Sequence, residues 1–430
     1  MTERNAQQRQ QVAVSQPRQG FFSQLGPGLI TGAADDDPSG IATYSVSGAA
    51  FGFGLLWTAL FAFPLMAAVQ LMCARLGMVT GRGLAAVVRR RYSRWVLWGA
   101  CLLLTVANVI NIGADLGGMA EATHMVTGIN SLWWTPVFAG LILAMLFRTS
   151  YRQIARIFKW LTLVLFAYVV TAFIVRPDWG QVLRATFVPD IRFTRDYLSV
   201  LVGILGTSIS PYLFFWQAAQ EVEEERAEGK TTVAQRQGAS SAELRRTRND
   251  VITGMFYSNF VMYFIILTTG ATLHAHGITH IGTASQAAEA LRPLAGNGAY
   301  WLFTVGLIGT GMLGVPVLAG SSAYAISEAM AWGASLDRKP RLAPKFYAVL
   351  AIAMALGVVL DYAGLDAVKM LFWSAVVNGV LAPPLIVLVV LLSTDRTVMG
   401  DHVSPPLLKW LGWITAAVMS AAAVAMFVAS

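Results

Sequence analysis

The chain of 430 residues is 56% hydrophobic and only 13% charged, with a formal net charge of +8. Globular proteins carry about 25% charged residues, so this composition argues against a soluble domain and indicates an integral membrane protein. No ten-residue stretch alternates between polar and apolar side chains, which argues against a β-barrel. No basic face with interleaved aromatic residues stands out, so no nucleic-acid partner is expected.

The first 20 residues are polar and rich in glutamine, and we expect a disordered cytoplasmic tail there. Eleven apolar segments follow, and each can cross a bilayer, which needs a helix of about 20 residues. We therefore expect an all-α integral membrane protein with eleven transmembrane helices. The segments are 24–51, 53–77, 95–125, 131–148, 155–176, 196–226, 250–273, 297–332, 344–361, 366–393 and 407–429.

Basic residues indicate the orientation. Arginine and lysine concentrate in the loops after the second, fourth, sixth and eighth segments, for example at Arg89, Arg90 and Arg91. Because basic loops stay in the cytoplasm, we expect a multi-pass protein of the cell (inner) membrane with its N-terminus inside and its C-terminus outside. One loop goes against this rule, the one after the fifth segment with Arg176, Arg184, Arg192 and Arg195.

The first segment is interrupted by the run Asp35-Asp36-Asp37-Pro38-Ser39-Gly40. A charged side chain at mid-membrane is unfavourable by roughly 2.5 to 3.5 kcal/mol on insertion scales, so carboxylates at this depth suggest a function. Pro38 lacks a backbone donor and Gly40 weakens the helix, so the helix should break here. A broken helix frees carbonyl oxygens beside the carboxylates, and hard cations bind to that combination. The run predicts a cation site.

The sixth segment contains a second interruption, from Gly206 to Tyr212 around Pro211. Interrupted helices at matching positions of two halves indicate a transporter binding site. Five segments per half is an odd number, so the two halves must be inverted relative to each other. The expected organisation is a tail (1–20), a first repeat of helices 1–5 (21–176), a second repeat of helices 6–10 (196–393) and an extra helix 11 (407–429).

Asp37 directly precedes Pro38, and we expect it to be the primary cation ligand. Alternatively, one of the three aspartates caps the second half-helix, since aspartate before a proline at the helix start is a good cap. One residue can serve both roles. Carbonyl and hydroxyl oxygens near both breaks are the further candidates. The candidate substrate or metal site comprises Asp37, Asp36, Asp35, Ala34, Ser39, Gly40, Thr207, Ser208, Ser210, Tyr212 and Asn378.

Asp115 in the third segment is another intramembrane acid, either a proton or cation relay or a structural acid bonded to a neighbouring helix. Asn378 in the tenth segment is a ligand or a helix-to-helix hydrogen bond. His274, His276 and His280 lie in an outer loop, where solvated residues are favoured over a metal site. The central site should hold neither imidazole nor thioether, and an all-oxygen site suits Mg²⁺, Ca²⁺ or Mn²⁺.

The sixth segment ends in a group of glutamates, Glu221, Glu223, Glu224 and Glu225. We expect a solvated helix end there, followed by a flexible loop to Asp250. A cytoplasmic surface that releases cations is the alternative.

Several runs resemble the Nramp family of divalent-metal transporters: Gly26-Pro27-Gly28-Leu29-Ile30 through Asp37-Pro38, Phe51-Gly52-Phe53-Gly54-Leu55-Leu56-Trp57, Ala74-Arg75-Leu76-Gly77, Thr80-Gly81, Ala114-Asp115-Leu116, Pro211 and Leu318-Ala319-Gly320. The resemblance covers segments one to ten. It implies the inverted-repeat fold of the leucine-type amino-acid transporters. In typical members it also implies proton-coupled uptake of Mn²⁺ or Fe²⁺.

The chain departs from this family at the site. The family's Asp-Pro-Gly-Asn is here Asp37 to Gly40, and its Met-Pro-His is here Ser210 to Tyr212. Its glutamine in the tenth segment falls on Ala375, and its glutamate in the third is Gly118. Loss of the thioether should relax the preference for transition metals, and a larger acidic cavity can hold a partly hydrated Mg²⁺. That resembles the Nramp-related magnesium branch, and loss of the histidine and glutamate weakens the case for proton coupling.

We therefore expect a secondary-active transporter that moves Mg²⁺ or Mn²⁺ by alternating access, and not an enzyme. The cation is a substrate, no cofactor is expected, and the partners are the metal ion and the lipid bilayer, with a monomer as the default state. One alternative is transport of an organic cation or amino-acid-like solute over Tyr212, Phe214, Phe215 and Trp216. The other is a non-transporting sensor.

Overall fold

The fold is taken from a computed structural model that describes residues 26–149, 153, 160–336 and 340–429. Within these ranges every regular element is a helix. The expected tail (1–20) and part of the basic loops after the fourth and eighth segments, including Arg152 and Arg338, lie outside the described residues.

The first part of the chain forms the helices α1 (Pro27–Asp35), α2 (Pro38–Phe51), α3 (Trp57–Thr80), α4 (Leu84–Arg91), α5 (Arg94–Thr127), α6 (Ser131–Arg148), α7 (Phe166–Val175) and α8 (Trp179–Phe187). The second part forms α9 (Arg195–Ser208), α10 (Pro211–Ala227), α11 (Val233–Arg236), α12 (Ser241–Thr272), α13 (Ala284–Ala288), α14 (Arg292–Ala295), α15 (Ala299–Ala329), α16 (Pro344–Asp361), α17 (Ala367–Thr394), α18 (Arg396–Met399) and α19 (Pro406–Val428).

Nine helical segments in the described ranges are long and apolar enough to cross a membrane. They correspond to nine of the eleven predicted segments. The first predicted segment is divided between the shorter α1 and α2, and the fifth ends in α7 but lies partly outside the described residues. An all-helical membrane fold is confirmed, whereas the count of eleven spans remains a prediction.

The first predicted segment consists of two helices because its sequence both stops and restarts the helix. Pro38 is the first residue of α2, where its missing N–H leaves no hydrogen bond unmade. Asp37 is the N-cap residue, and its side chain accepts a hydrogen bond from the Gly40 amide. Similarly, α9 ends at Ser208 and α10 begins at Pro211.

Backbone contacts between small residues fix α1 against α12. A Cβ added to Gly32 would lie 2.1 Å from the carbonyl oxygen of Gly254, so only glycine permits this approach. The Asp250 carboxylate of α12 accepts hydrogen bonds from the amides of Gly26, Gly28 and Leu29 at 2.9, 2.6 and 3.2 Å. A side chain from a distant helix therefore caps the start of α1, since Gly26 at its own N-cap has no side chain to do so.

The expected solvated region after the sixth segment is wrong in two respects. The helix α12 begins at Ser241 rather than near 250, because Ser240 and Glu243 form a capping box that starts a polar helical extension. In addition, Glu221, Glu223 and Glu225 are each only 4% exposed. They have internal partners, for example the Ser335 hydroxyl that donates to Glu223 at 2.8 Å.

Candidate functional site

Four carboxylates lie at the junction between α1 and α2, where Asp35, Asp36 and Asp115 are 0% exposed and Asp37 is 1% exposed. These side chains are therefore shielded from bulk solvent in this conformation. A buried charge is unfavourable unless hydrogen bonds or a counter-charge compensate it. The partners of each carboxylate thus indicate what the site can bind.

Asp37 accepts four hydrogen bonds. Its Oδ1 accepts from the Ser39 hydroxyl at 2.6 Å and from the Gly40 amide at 2.8 Å. Its Oδ2 accepts from the Tyr212 hydroxyl at 3.1 Å and the Asn111 amide Nδ2 at 3.4 Å. The carboxylate is satisfied without any further group, and Asp37, rather than Asp35 or Asp36, is the one that caps α2.

Tyr212 joins the two interrupted helices at this point. Its hydroxyl lies 3.1 Å from the Ala34 carbonyl oxygen and also 3.1 Å from Asp37 Oδ2. Ala34 belongs to the last turn of α1, where carbonyl oxygens have no partner within the helix. One hydroxyl of α10 thus lies beside two oxygen atoms, a carbonyl and a carboxylate, of the kind that hard cations bind.

Asp115 lies on the α5 side of the same group. Its Oδ1 accepts from the Ser39 amide at 3.2 Å, while its Oδ2 has no hydrogen-bond partner among the described residues. Ser39 therefore contacts both acids, Asp37 through its hydroxyl and Asp115 through its amide. Asp115 is therefore bonded to a neighbouring helix, as the structural alternative expected, but only one of its two oxygens is satisfied. It also lies next to Asp37, so the relay stays a prediction.

Asp35 and Asp36 face the opposite side, towards α12. The Ser258 hydroxyl lies 2.6 Å from Asp35 Oδ2 and 3.2 Å from Asp36 Oδ1. The other oxygen of each carboxylate, Asp35 Oδ1 and Asp36 Oδ2, has no partner in the described structure. A hydroxyl carries one proton, so Ser258 cannot donate to both carboxylates at once. The carboxylates of Asp35 and Asp36 therefore have fewer hydrogen-bond donors than the carboxylate of Asp37.

The hydroxyls of the second break point away from the carboxylates. Ser210 Oγ donates to the carbonyl oxygens of Gly206 and Thr207 at 2.9 and 2.7 Å, which satisfies the end of α9. Ser208 Oγ lies 3.3 Å from the Tyr44 hydroxyl and 3.3 Å from Met262 Sδ. A thioether thus lies beside one candidate residue, which the sequence did not indicate, although the hydrogen-bond partners of Asp37 are oxygen and nitrogen atoms.

Two candidates lie where the breaks meet. A Cβ added to Gly40 would be 3.0 Å from Thr207 Oγ1, so glycine at this position lets the two interruptions approach each other. Thr207 Oγ1 and both amide atoms of Asn378 are buried and have no hydrogen-bond partner among the described residues. The hydrogen bond between helices that was one expectation for Asn378 is therefore not present.

No three His, Cys, Asp or Glu side chains of the described residues converge as ligands of one metal ion. The side chains of the three consecutive aspartates point in different directions, because Asp35 is the last residue of α1, Asp36 follows it, and Asp37 is the N-cap of α2. In the outer loop, His274 Nδ1 lies 2.7 Å from the Ala49 carbonyl oxygen and His276 Nδ1 lies 2.6 Å from that of Thr272. One nitrogen of each ring thus contacts a backbone carbonyl.

The sequence did not single out several residues of this site. Asn111 was part of the motif around Asp115 but was not proposed as a partner of Asp37. Ser258 is one hydroxyl in a long helix and gave no signal. Gly314 of α15 is visible only in three dimensions, where a Cβ would lie 2.9 Å from the Asp37 Cβ. This glycine lets α15 pack directly on the carboxylate.

The aromatic residues after Pro211 are packing residues. Trp216 is fully buried and lies edge-on to Tyr324, with ring centroids 6.2 Å apart. A Cβ added to Gly320 would lie 2.8 Å from the Trp216 ring, so α10 and α15 are in close contact there. Tyr212 contacts Asp37 through its hydroxyl and not through its ring face, which is the face that a cation–π contact requires.

Comparison with known proteins gives one family. The model of the natural resistance-associated macrophage protein-like family, Nramp, matches residues 28–429. The divalent metal cation transporter MntH of Deinococcus radiodurans is 28% identical over 414 residues, which covers 92% of this chain and 87% of that protein. MntH of Yersinia enterocolitica is 26% identical over 402 residues and covers 91% of each chain.

Solved structures share the fold. A manganese transporter of Eremococcus coleocola superposes with a TM-score of 0.71 at 20% identity, over 95% of this chain and 87% of that one. The nucleobase-cation-symport-1 transporter Mhp1 in a closed conformation superposes with a TM-score of 0.52 at 14% identity, over 93% and 92% of the two chains. At these identities the likeness concerns the fold alone.

Proposed function

This chain belongs to the Nramp family, and we propose that it is a secondary-active transporter that carries a divalent metal cation across the cell membrane. Relatives named as divalent metal cation or manganese transporters support Mn²⁺ as the first candidate. Mg²⁺ is the second candidate, because Ser210 stands where the family has a thioether and a site without this ligand binds hard cations relatively better. The ion is cargo, and no enzymatic reaction is proposed.

The observation that carries this proposal is the contact of the Tyr212 hydroxyl with both the Ala34 carbonyl and the Asp37 carboxylate. Both acceptors are oxygen ligands of the kind that Mg²⁺ and Mn²⁺ use. A cation that binds Asp37 and Ala34 takes the place of the hydroxyl proton between them. Tyr212 therefore supplies one proton that the two acceptors share while the site is empty, and it moves aside when the cation enters.

The remaining candidates have subordinate roles in this proposal. Ser39 and Gly40 hold Asp37 in place through its Oδ1. The unpartnered oxygens of Thr207 and Asn378 are additional ligands once the helices shift. Asp35, Asp36, Ser208 and Ser210 shape the site, and Asp115 relays a proton or cation next to Ser39.

We propose the inverted-repeat organisation for the whole chain: helices 1–5 within 21–176, helices 6–10 within 196–393 and helix 11 within 407–429, with broken helices 1 and 6. The N-terminus is on the cytoplasmic side and the C-terminus outside. Alternating access then requires α1 to leave α12, which breaks the three hydrogen bonds from Gly26, Gly28 and Leu29 to Asp250. A monomer suffices for this mechanism.

The test is uptake into proteoliposomes that contain a metal-sensitive dye, with Mn²⁺ and Mg²⁺ supplied separately and a pH-sensitive dye in parallel. We expect saturable uptake of Mn²⁺ by the wild-type protein. Asp37→Asn should reduce it to background, because this change removes the charged ligand while it keeps the side-chain shape.

Asp361→Asn is the matched control, because Asp361 is also a mostly buried acid in a membrane helix but accepts a hydrogen bond from Thr135, away from the break. It should transport like the wild type. Folded protein that moves neither metal would overturn the proposal, as would undiminished uptake by the Asp37 variant. The pH trace decides whether protons move with the metal.

A further inference from the structure

A cavity of about 510 Å³ lies far from the carboxylates, at the membrane face that the positive-inside rule assigns to the cytoplasm. Its walls come from the end of α3, from α4, from the residues just before α12 and from the connection between α17 and α19. The lining residues include Arg82, Arg90, Arg91, Gln237, Asp401 and His402. The volume is in the range of small-ligand sites, which are about 300–1,000 Å³.

The positive charges of this cavity are only partly compensated. Arg91 Nε lies 2.6 Å from Asp395 Oδ2, and hydrogen bonds from Arg91 and Thr397 lower the pKa of Asp395 to about 2, so this pair is neutral as a whole. By contrast, Arg82 and Arg90 form no ion pair with any described residue. Asp401 is the carboxylate that lines the cavity, and one carboxylate does not neutralise two guanidinium groups.

The guanidinium groups also repel one another. The pKa of Arg82 lies below its usual value because of partial burial and then because of the nearby charges of Arg90, Arg89 and Arg236. Arg236 is 3% exposed, and carbonyl groups hold it in place at Gly81, Lys230 and Thr231. Cations that face one cavity without enough anions favour an anionic ligand, and guanidinium groups match phosphate oxygens well.

The position of the cavity along the membrane normal indicates where the anionic ligand comes from. Arg82 follows the end of α3 at Thr80 by two residues, and 397–402 connects the end of α17 at Thr394 to the start of α19 at Pro406. The ends of membrane helices lie at the level of the lipid headgroups. Trp95 and Trp410, in the first turns of α5 and α19, are 89% and 65% exposed, as expected for tryptophans at the membrane–water interface.

We propose that this cavity is a binding site for the phosphate of an anionic phospholipid of that leaflet, with Arg82 and Arg90 as its principal ligands. Basic pockets between membrane helices on the cytoplasmic side are known to bind such headgroups. The bound lipid links α3, α4 and the connection from α17 to α19 at one point. This proposal is independent of the metal that the protein carries.

The experiment uses native mass spectrometry of the full-length protein with phosphatidylglycerol, with phosphatidylcholine and with inorganic phosphate. We expect retention of phosphatidylglycerol well above phosphatidylcholine. Each of Arg82→Gln and Arg90→Gln should weaken it about fivefold, the effect of roughly one charge near the membrane surface. Asp401→Asn should strengthen it, because this change removes the opposing charge.

Arg94→Gln is the matched control, since Arg94 is an exposed arginine at the start of α5 that does not line the cavity. An equal loss in Arg94→Gln would mean diffuse attraction to the surface and would overturn the site. Inorganic phosphate that displaces the lipid at similar concentration would overturn the assignment to a lipid. Arg90 is exposed and unpaired within the described residues, so Arg90→Gln alone tests the site if the Arg82 variant does not fold.

Discussion

The three consecutive aspartates, Asp35 to Asp37, form two groups that differ in how many hydrogen bonds their carboxylates accept. Asp37 accepts four hydrogen bonds from Ser39, Gly40, Tyr212 and Asn111. The neighbouring pair, Asp35 and Asp36, has one hydroxyl between them, that of Ser258. The backbone makes this difference, because Asp37 begins α2 while Asp35 ends α1.

The comparison shows that adjacent acids of one run can differ strongly in their hydrogen-bond partners. Two local donors, Ser39 and Gly40, hold Asp37 in place, and in the proposed function a cation replaces the other two, the side chains of Tyr212 and Asn111. Asp35 and Asp36 lack donors, so two negative charges there would be unfavourable without a proton or a cation. The following predictions separate the two groups, from the largest expected effect to the smallest.

The first prediction applies the same isosteric change to neighbouring residues. Asp37→Asn should weaken Mn²⁺ binding by more than about 100-fold, since the cation would lose its charged partner in a buried site. Asp36→Asn should weaken binding less than about tenfold, because in this proposal the Asp36 carboxylate does not touch the cation and attracts it only through its charge. Isothermal titration of the two purified variants measures both. Equal losses would contradict the division into two groups.

The second prediction concerns the hydroxyl that Asp35 and Asp36 share. Ser258→Ala should lower the free energy of unfolding by about 1–3 kcal/mol, because it leaves buried carboxylate oxygens without a donor. Ser47→Ala is the matched control: its hydroxyl is equally buried but has no partner in the described structure, so removal should have little effect. Thermal unfolding of both variants, measured in the same detergent, compares their stabilities. A stability loss no greater than that of the control would mean that the pair does not depend on Ser258.

The third prediction tests whether Tyr212 protects the empty site. In Tyr212→Phe the single donor that Ala34 and Asp37 share is lost, so the unliganded protein should be less stable by about 1 kcal/mol, the net value of a typical hydrogen bond. Binding of Mn²⁺ no longer requires displacement of the hydroxyl and should tighten severalfold. The difference in melting temperature with and without Mn²⁺ should therefore grow. Weaker binding in this variant would show that the hydroxyl is a ligand instead.

The smallest expected effect is on selectivity. Ser210→Met restores a thioether at the second break and should raise the ratio of Mn²⁺ to Mg²⁺ uptake severalfold, because soft ligands favour transition metals. Ser210→Leu introduces similar bulk without sulfur and controls for the change in shape. A ratio that changes equally in both variants would assign the effect to size and not to the ligand.

Much of this architecture follows from local sequence. Long apolar segments require helices, since backbone groups in lipid must be satisfied within the segment. An aspartate before a proline caps a new helix, so the interruption could be predicted within the run from Asp35 to Gly40, whereas the structure decides that Asp37 is the cap. The polar extension of α12 was missed because it lacks the apolar pattern of a membrane helix and depends on the capping box at Ser240.

The sequence grouped Tyr212 with Asp37 in one candidate site, but it did not indicate that Ser258 contacts Asp35 and Asp36. Ser258 and Tyr212 lie more than 170 residues from the aspartates that they contact. Their approach depends on where glycines such as Gly32 and Gly254 let helix backbones touch. Sequence by itself determined where the helices end and which acids lie between them, because capping and proline act within a few residues. Tertiary packing decided which carboxylates receive the remaining donors, because Tyr212, Asn111 and Ser258 come from other helices.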